Sequence, residues 1–351
     1  MESADNRLIP LEIVIMKKNL AKLVLSAGLA LSLAGVAQAQ AQTSLLNVSY
    51  DVARDVFKDY NPRFIAAWKA KSGEAIEVKQ SHGGSSKQVR AVADGLEADL
   101  VTMNQPTDVS FLADKGLVAK DWNKKFANNA SPYTSTMVFI VRKGNPKGFK
   151  DWSDLAKPGV TITIPHPKNT GNGRNTYLAA WGWALRQPGG NDKSAAAFVG
   201  SLLKNAPAFA PGGRDATTNF IQRGQGDVLI TFECEAELIA REFGRGGFDV
   251  VYPSQSVLTE FPVAVVDKVV DKRGTRKQAQ AYLDYLWSKD GQENAAQNYL
   301  RPVDAEVLKK YASQFPPIKT FTVEEVFGSW EKAFSTHFKD GGSFDQVFAA
   351  K

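Results

Sequence analysis

The chain has 351 residues, 43% hydrophobic and 23% charged, a balance that excludes a disordered chain or a coiled coil and leaves room for two lobes rather than one small core. The net charge of +6 is spread among interspersed acids and bases, so it licenses a weak general pull on anions and does not indicate nucleic acid. Cys234 is the single cysteine, so no intrachain disulfide forms and stability has to come from the core.

The first forty-one residues read as addressing information. Met16, Lys17, Lys18 and Lys22 make a positive flank, Leu23 to Val36 is an apolar run, and Ala37-Gln38-Ala39 or Ala39-Gln40-Ala41 offers a small-x-small cleavage site. This is the pattern of a secretory signal peptide, with translation expected to begin at Met16. The run is shorter than the roughly 20 residues that span a bilayer. No cysteine follows it to carry a lipid anchor, so the mature chain is expected in the periplasm.

Ser44 to Ser49 predicts a strand, after which Phe57, Tyr60, Phe64 and Trp68 recur at helical spacing, with Pro62 starting a second helix or kinking one. Ile76 to Gln80 is the next strand, closed by Ser81-His82-Gly83-Gly84-Ser85-Ser86 and followed by a helix over Gln88 to Ala93. Ala98 to Met103 is a third strand, with a helix over Val109 to Lys115. Strand, turn and helix three times over implies parallel strands with crossover helices.

A second series follows. Met137 to Val141 is a strand and Asp151 to Leu155 a short capped helix. Val160 to Ile164 feeds a loop holding Pro165, Pro167, Asn169, Thr170, Gly171, Asn172 and Gly173, ahead of a helix over Tyr177 to Leu185. Ala195 to Leu203 predicts a helix, and Gly212 to Thr218 prefaces another at Phe220 to Arg223. Asp227 to Phe232 is a strand leading into a helix over Glu235 to Phe243; Val250 to Tyr252 and Val263 to Val266 are strands. From Thr275 to Phe338 the pattern is almost entirely helical. Two α/β lobes with a helical C-terminal wrap is the simplest architecture.

Five strands run out into a short turn that opens a helix: Tyr50-Asp51, Gly84-Ser85-Ser86, Thr170 to Gly173, Asp215-Ala216-Thr217 and Phe232-Glu233. Each could be an ordinary cap. Ligands of parallel sheets sit beyond the carboxyl ends of the strands, however, and helix N-termini from two facing lobes could converge on one small anion. None of these five turns, as bounded, contains a lysine, so backbone dipoles and hydroxyls would carry the recognition.

Other chemistries have less support. Gly171 and Gly173 lack the third glycine of a dinucleotide fingerprint, and no Gly-Lys-Ser/Thr is present, so any ATPase serving this chain is a separate polypeptide. No histidine pair at helical spacing or cysteine cluster suggests a metal, and no cofactor is expected. His82 reads as a capping or structural residue with pH sensing as the alternative, and His166 and His337 as surface or loop residues. Cys234 follows a strand and opens a helix, where a thiol can become a nucleophile for sulfur transfer, yet Glu233 and Glu235 flank it and disfavour a thiolate.

The chain resembles the periplasmic sulfate- and thiosulfate-binding proteins of ABC transporters. The resemblance lies in LLNVSYD (Leu45 to Asp51), QSHGGSSKQ (Gln80 to Gln88), YTSTMVFIVRKGNPK (Tyr133 to Lys147), HPKNTGNGR (His166 to Arg174), YLAAWGWAL (Tyr177 to Leu185), GGRDATTNF (Gly212 to Phe220), GDVLITFECEAE (Gly226 to Glu237) and EFPVAVVDK (Glu260 to Lys268). It implies a two-lobed α/β periplasmic binding fold of type II, each lobe a mainly parallel sheet flanked by helices, with the ligand in the cleft between lobes. The expected divisions are 1–41 for the leader, 42–131 for the first part of lobe 1, 132–261 for lobe 2, and 262–351 for the return to lobe 1 and the C-terminal helices.

The resemblance further implies a monomeric, non-enzymatic receptor that grips a tetrahedral dianion and docks on a membrane permease. The matching ligand positions are Asp51, Ser85, Thr170, Gly171, Asn172, Ala216 and Phe232, supported by Ser86, Gly173, Arg174 and Thr217. Sulfate-specific members have a loop closer to Asn-Pro-Lys-Ser-Ser-Gly-Gly-Ala-Arg, and a tryptophan donor where this chain has Phe232. A phenyl ring donates no hydrogen bond but suits a soft sulfur atom, which shifts the expectation toward thiosulfate. The alternatives are a sulfurtransferase using Cys234 and a receptor for molybdate or tungstate.

Overall fold

The computed structural model of the chain describes residues 42–242 and 247–349. The leader, its cleavage positions and Phe243 lie outside the described residues.

The first sheet holds β1 (Thr43–Tyr50), β2 (Ile76–Gly83) and β3 (Leu100–Thr102). The second is built on β4 (Tyr133–Arg142), β5 (Ile162–Pro165), β6 (Phe209–Ala210), β7 (Val228–Phe232), β8 (Phe248–Val251) and β9 (Gln255–Glu260). β10 (Val263–Val265) returns to the first sheet, whereas β11 (Arg301–Pro302) and β12 (Lys319–Phe321) join the second.

In the first sheet β1 pairs parallel with β2 from Thr43↔Ile76 to Tyr50↔Gly83, and parallel with β3 through Val48↔Val101. The three successive strand–helix units impose this direction. β10 closes the edge antiparallel to β3. The helix after β1 is continuous over Arg54–Ser72 with Pro62 inside it, and it ends on Gly73 at φ 74°. Phe64 and Tyr282, ring centroids 4.9 Å apart, fasten it to the helix Arg276–Tyr285.

The second sheet is mixed, a departure from the mainly parallel arrangement expected. β5 runs parallel to β6 and β7, but β4 runs antiparallel to β7, β8, β9 and β11. Residues Ser135 to Val141 of β4 are all buried, and an apolar run covered on both faces reads the same in either direction. Pairing of β11 and β12 with β4 and β9 carries the later chain onto the second sheet. Its last helix, Ser343–Ala349, packs beside Asp192–Lys204.

Four helices matter for the site: α1 (Ser85–Ala93), α2 (Gly171–Leu185), α3 (Gly213–Ile221) and α4 (Glu233–Glu242). They follow the carboxyl ends of β2, β5, β6 and β7. Every residue of α2 from Gly171 to Ala184 is buried, and Gly182 leaves room for Phe321, whose ring carbon would lie 2.3 Å from an added Cβ. Gly171–Leu185 therefore forms the interior axis of its lobe, and its N-terminus faces the first sheet.

Candidate functional site

The turns after β1, β2, β5 and β6 meet. Asp51 follows β1, and its carboxylate accepts from the N–H of Val52 at 3.0 Å and, across to the second sheet, from the N–H of Arg214 at 3.0 Å. Ser85 opens α1, is 2% exposed, and its hydroxyl accepts from the N–H of Gly171 at 3.1 Å. Gly171 admits this approach because it has no side chain: an added Cβ would lie 1.9 Å from Asn104 Oδ1. Asn172 is buried beside it, with Nδ2 donating to Thr231 Oγ1 at 2.9 Å.

Two expected positions play different parts. Ala216 lies a turn inside α3, where its N–H donates to the Gly212 carbonyl at 3.1 Å, so that amide is spent within the helix. The residue at the mouth is Gly213, whose added Cβ would lie 3.2 Å from Val52 Cγ1, 3.3 Å from Asn172 Nδ2 and 3.4 Å from Asp51 Oδ1. The helix begins at the double glycine rather than at Asp215. The Thr170 hydroxyl, in turn, caps α2: it accepts from the Gly173 N–H at 3.0 Å and donates to the His166 carbonyl at 3.0 Å.

Phe232 ends β7 fully buried, its ring edge-on to Phe261 at 5.5 Å. Phe261 also meets Tyr50 at 5.3 Å and Tyr133 at 5.6 Å, giving an aromatic wall without an indole donor. Behind the loop, Arg174 donates to Ser86 Oγ at 3.0 Å and to the Lys168 carbonyl at 2.6 Å. Burial holds its guanidinium below the usual range, and Asp108 at 3.9 Å counters this in part. Gly173 sits where a Cβ would be 2.6 Å from the Pro165 carbonyl oxygen. Thr217 bonds Glu235 Oε1 at 2.6 Å.

Asn104 and Asn175 belong to the cluster although no sequence signal singled them out. Asn175 Nδ2 donates to the carbonyls of Gly171 at 2.9 Å and Asn104 at 3.3 Å, tying the first turn of α2 to the end of β3. The signal available was positional: Asn104 sits just past a strand end, as the other turn residues do.

Cys234 is buried, and burial, reinforced by Glu235, pushes its thiol well above the ordinary range. A nucleophile needs the opposite shift, so sulfur transfer is not favoured. Burial, with Arg54 adding to it, lowers His82 to about 4, keeping its ring neutral through the neutral range. His337 is not a surface residue: it is 4% exposed, packs 4.6 Å from Trp181, and is lowered to about 4 by burial. Among the described residues no group of three His, Cys, Asp or Glu could hold a metal ion, and no helix is long and apolar enough to cross a membrane.

Comparison with known proteins places the whole chain in a family. The family model for bacterial extracellular solute-binding proteins matches residues 49–301. A thiosulfate-binding protein from Pseudomonas aeruginosa is 58% identical over 95% of this chain and 99% of its own length. A sulfate-binding protein from Escherichia coli is 50% identical over 91% of this chain and 97% of its own. Among solved structures, the sulfate-binding protein SubI from Mycobacterium tuberculosis superposes with a TM-score of 0.77 at 32% identity, covering 85% of this chain and 100% of that one. These matches run over most of the chain, and the chain belongs to the family of bacterial extracellular solute-binding proteins.

Proposed function

We propose that the cleft binds sulfate or thiosulfate and that the chain delivers the anion to the membrane permease of an ABC importer whose ATPase is a separate subunit. The carrying observation is the meeting of Ser85 with Gly171 and of Asp51 with the Arg214 amide, which brings turns of both sheets to one point. The relatives named as sulfate- and thiosulfate-binding proteins support the choice of anion.

The donors in this reading are the amides at Asp51, Ser85, Gly171, Asn172 and Gly213, with the hydroxyls of Ser85 and Thr170. Gly213 stands in for the expected Ala216 because the Ala216 amide is bonded to the Gly212 carbonyl inside α3 and cannot be released without unwinding the first turn, whereas the Gly171 amide is held only by a hydroxyl. Capture requires the Gly171 amide and Thr170 hydroxyl to turn from their internal partners to the anion. In this reading the Asp51 carboxylate is taken up by the Val52 and Arg214 amides, so the anion meets donors: a fully ionised dianion fits, and monohydrogen phosphate is rejected because its P–OH finds no free acceptor. Phe232 offers sulfur an aromatic edge in place of a donor, which favours thiosulfate. The receptor acts as a periplasmic monomer, cleaved near Ala39 or Ala41, with lobes divided near 131 and 262 that close around the ligand.

Calorimetric titration with sulfate, thiosulfate, phosphate and molybdate tests this. Thiosulfate is expected to bind at least as tightly as sulfate, with phosphate and molybdate far weaker. Tight phosphate binding would sink the donor-only site, and preference for molybdate would replace the assigned ligand.

A further inference from the structure

Behind the cleft lies a carboxyl group that the anion contacts do not use. Glu235, in α4, is 4% exposed. Its Oε1 lies 2.6 Å from Thr217 Oγ1, and its Oε2 is bonded to Thr231 Oγ1. Thr231 Oγ1 also accepts from Asn172 Nδ2 at 2.9 Å, and Thr217 Oγ1 also lies 3.2 Å from the Gly213 carbonyl oxygen. One chain of contacts therefore joins two residues of the cleft, Asn172 and Gly213, through Glu235.

The protons in this chain can be counted. Thr231 accepts from Asn172, so its hydroxyl proton goes to Glu235 Oε2. Thr217 has one hydroxyl proton and two oxygen neighbours, Glu235 Oε1 and the Gly213 carbonyl. With one proton to each bond and none shared, both contacts are hydrogen bonds when Oε1 carries a proton of its own and donates it to Thr217, which then donates to Gly213. The surrounding charges pull both ways. Asp51 and Arg214 are the charged groups facing Glu235 from other elements, Asp51 favouring the neutral acid and Arg214 the carboxylate; the Arg214 guanidinium is shared between Glu235 and Asp55, which it bonds at 3.0 Å. On α4 itself, Glu233 is bound by Arg301, and Cys234 has its thiol pushed up toward the neutral form. Burial, aided by Asp51, raises the Glu235 carboxyl against the opposing pull of the two hydroxyls and Arg214.

We propose that Glu235 is a positioning residue held as the neutral carboxylic acid, whose one proton aligns Thr217 and whose carbonyl side orients Asn172 through Thr231, so that no second carboxylate charge stands behind the bound dianion. The proposal rests on the anion-receptor reading for its consequence, but the state of Glu235 is measurable without ligand.

The test compares the intact chain with Glu235→Gln and Glu235→Ala. The infrared difference spectrum between wild type and Glu235→Gln at neutral pH, without anion, is expected to show the carbonyl stretch of a protonated acid. Glutamine supplies an N–H donor in place of the acid O–H and the same C=O acceptor, so thiosulfate affinity should fall about tenfold in Glu235→Ala, where a buried hydroxyl pair loses its partner, and recover to within about threefold in Glu235→Gln. Carboxylate stretches in place of the acid band, or a Gln variant as weak as the Ala variant, would overturn the proposal. A wild-type chain that shows the acid band yet binds neither anion would instead strike the receptor reading, while the band still decides the state of Glu235.

Discussion

Under the proposed function, Phe232 sets the chemistry of one wall by what it lacks. Its ring is fully buried against Phe261, so an atom facing it meets a phenyl edge and no donor. Phe232→Trp adds an indole N–H, and a hydrogen bond to a charged acceptor is worth about 1.5 to 3 kcal/mol. Sulfate affinity relative to thiosulfate is expected to rise about tenfold, read from paired calorimetric titrations; an unchanged ratio would remove Phe232 from the anion's surroundings. Legibility at this scale followed chemistry that leaves a mark in the sequence. The glycine-rich turn and its Thr170 cap were visible because few residue types satisfy them. Asn104 was not visible, since its place against Gly171 depends on how one sheet end faces the other. The start of α3 was not visible, because a double glycine reads as a turn, whereas the helix begins at Gly213.

The loop between β5 and α2 is held from outside its own lobe segment. Lys168 reaches Asp340 at 2.8 Å and Asp345 at 2.9 Å, and the His166 ring meets Phe344 at 5.7 Å and Phe209 at 5.1 Å. The C-terminal helix Ser343–Ala349 thus clasps the loop that carries Thr170 and Gly171. Exposed ion pairs contribute about 0 to 1 kcal/mol, so Lys168→Ala should leave the unfolding midpoint nearly unchanged. It should speed anion release about fivefold, the equivalent of about 1 kcal/mol placed on the loop, measured by stopped-flow fluorescence; an unaltered release rate would show that the clasp does not reach the ligand. The strand–turn–helix units of this part of the chain were legible from period and punctuation. The antiparallel course of β4 was not, because a run buried on both faces carries no directional signature.

At the scale of the molecule, the two sheets are joined through their turns: Gly171 to Ser85, Arg174 to Ser86, and Arg214 to both Asp51 and Asp55. An anion that binds only the folded pair of lobes stabilises both together. Thiosulfate at about one hundred times its Kd should add about 2.7 kcal/mol to the unfolding free energy. Cys234, the single and buried thiol, reports the same quantity: labelling should require unfolding and slow about one hundredfold with thiosulfate at that concentration. Rapid labelling of the folded chain would contradict its burial. The two-lobed plan was legible from the chain-wide resemblance. The placement of β11 and β12 on the second sheet was not, because two- and three-residue strands show no period.

The clasp on the loop also bears on the order in which the chain becomes competent. Lys168 and Asp345 are 177 positions apart, so in a chain exported N-terminus first the loop emerges long before the residues that fasten it. The emerging segment can form the strand and the start of the helix, yet the clasp on the loop is completed only when the far end arrives.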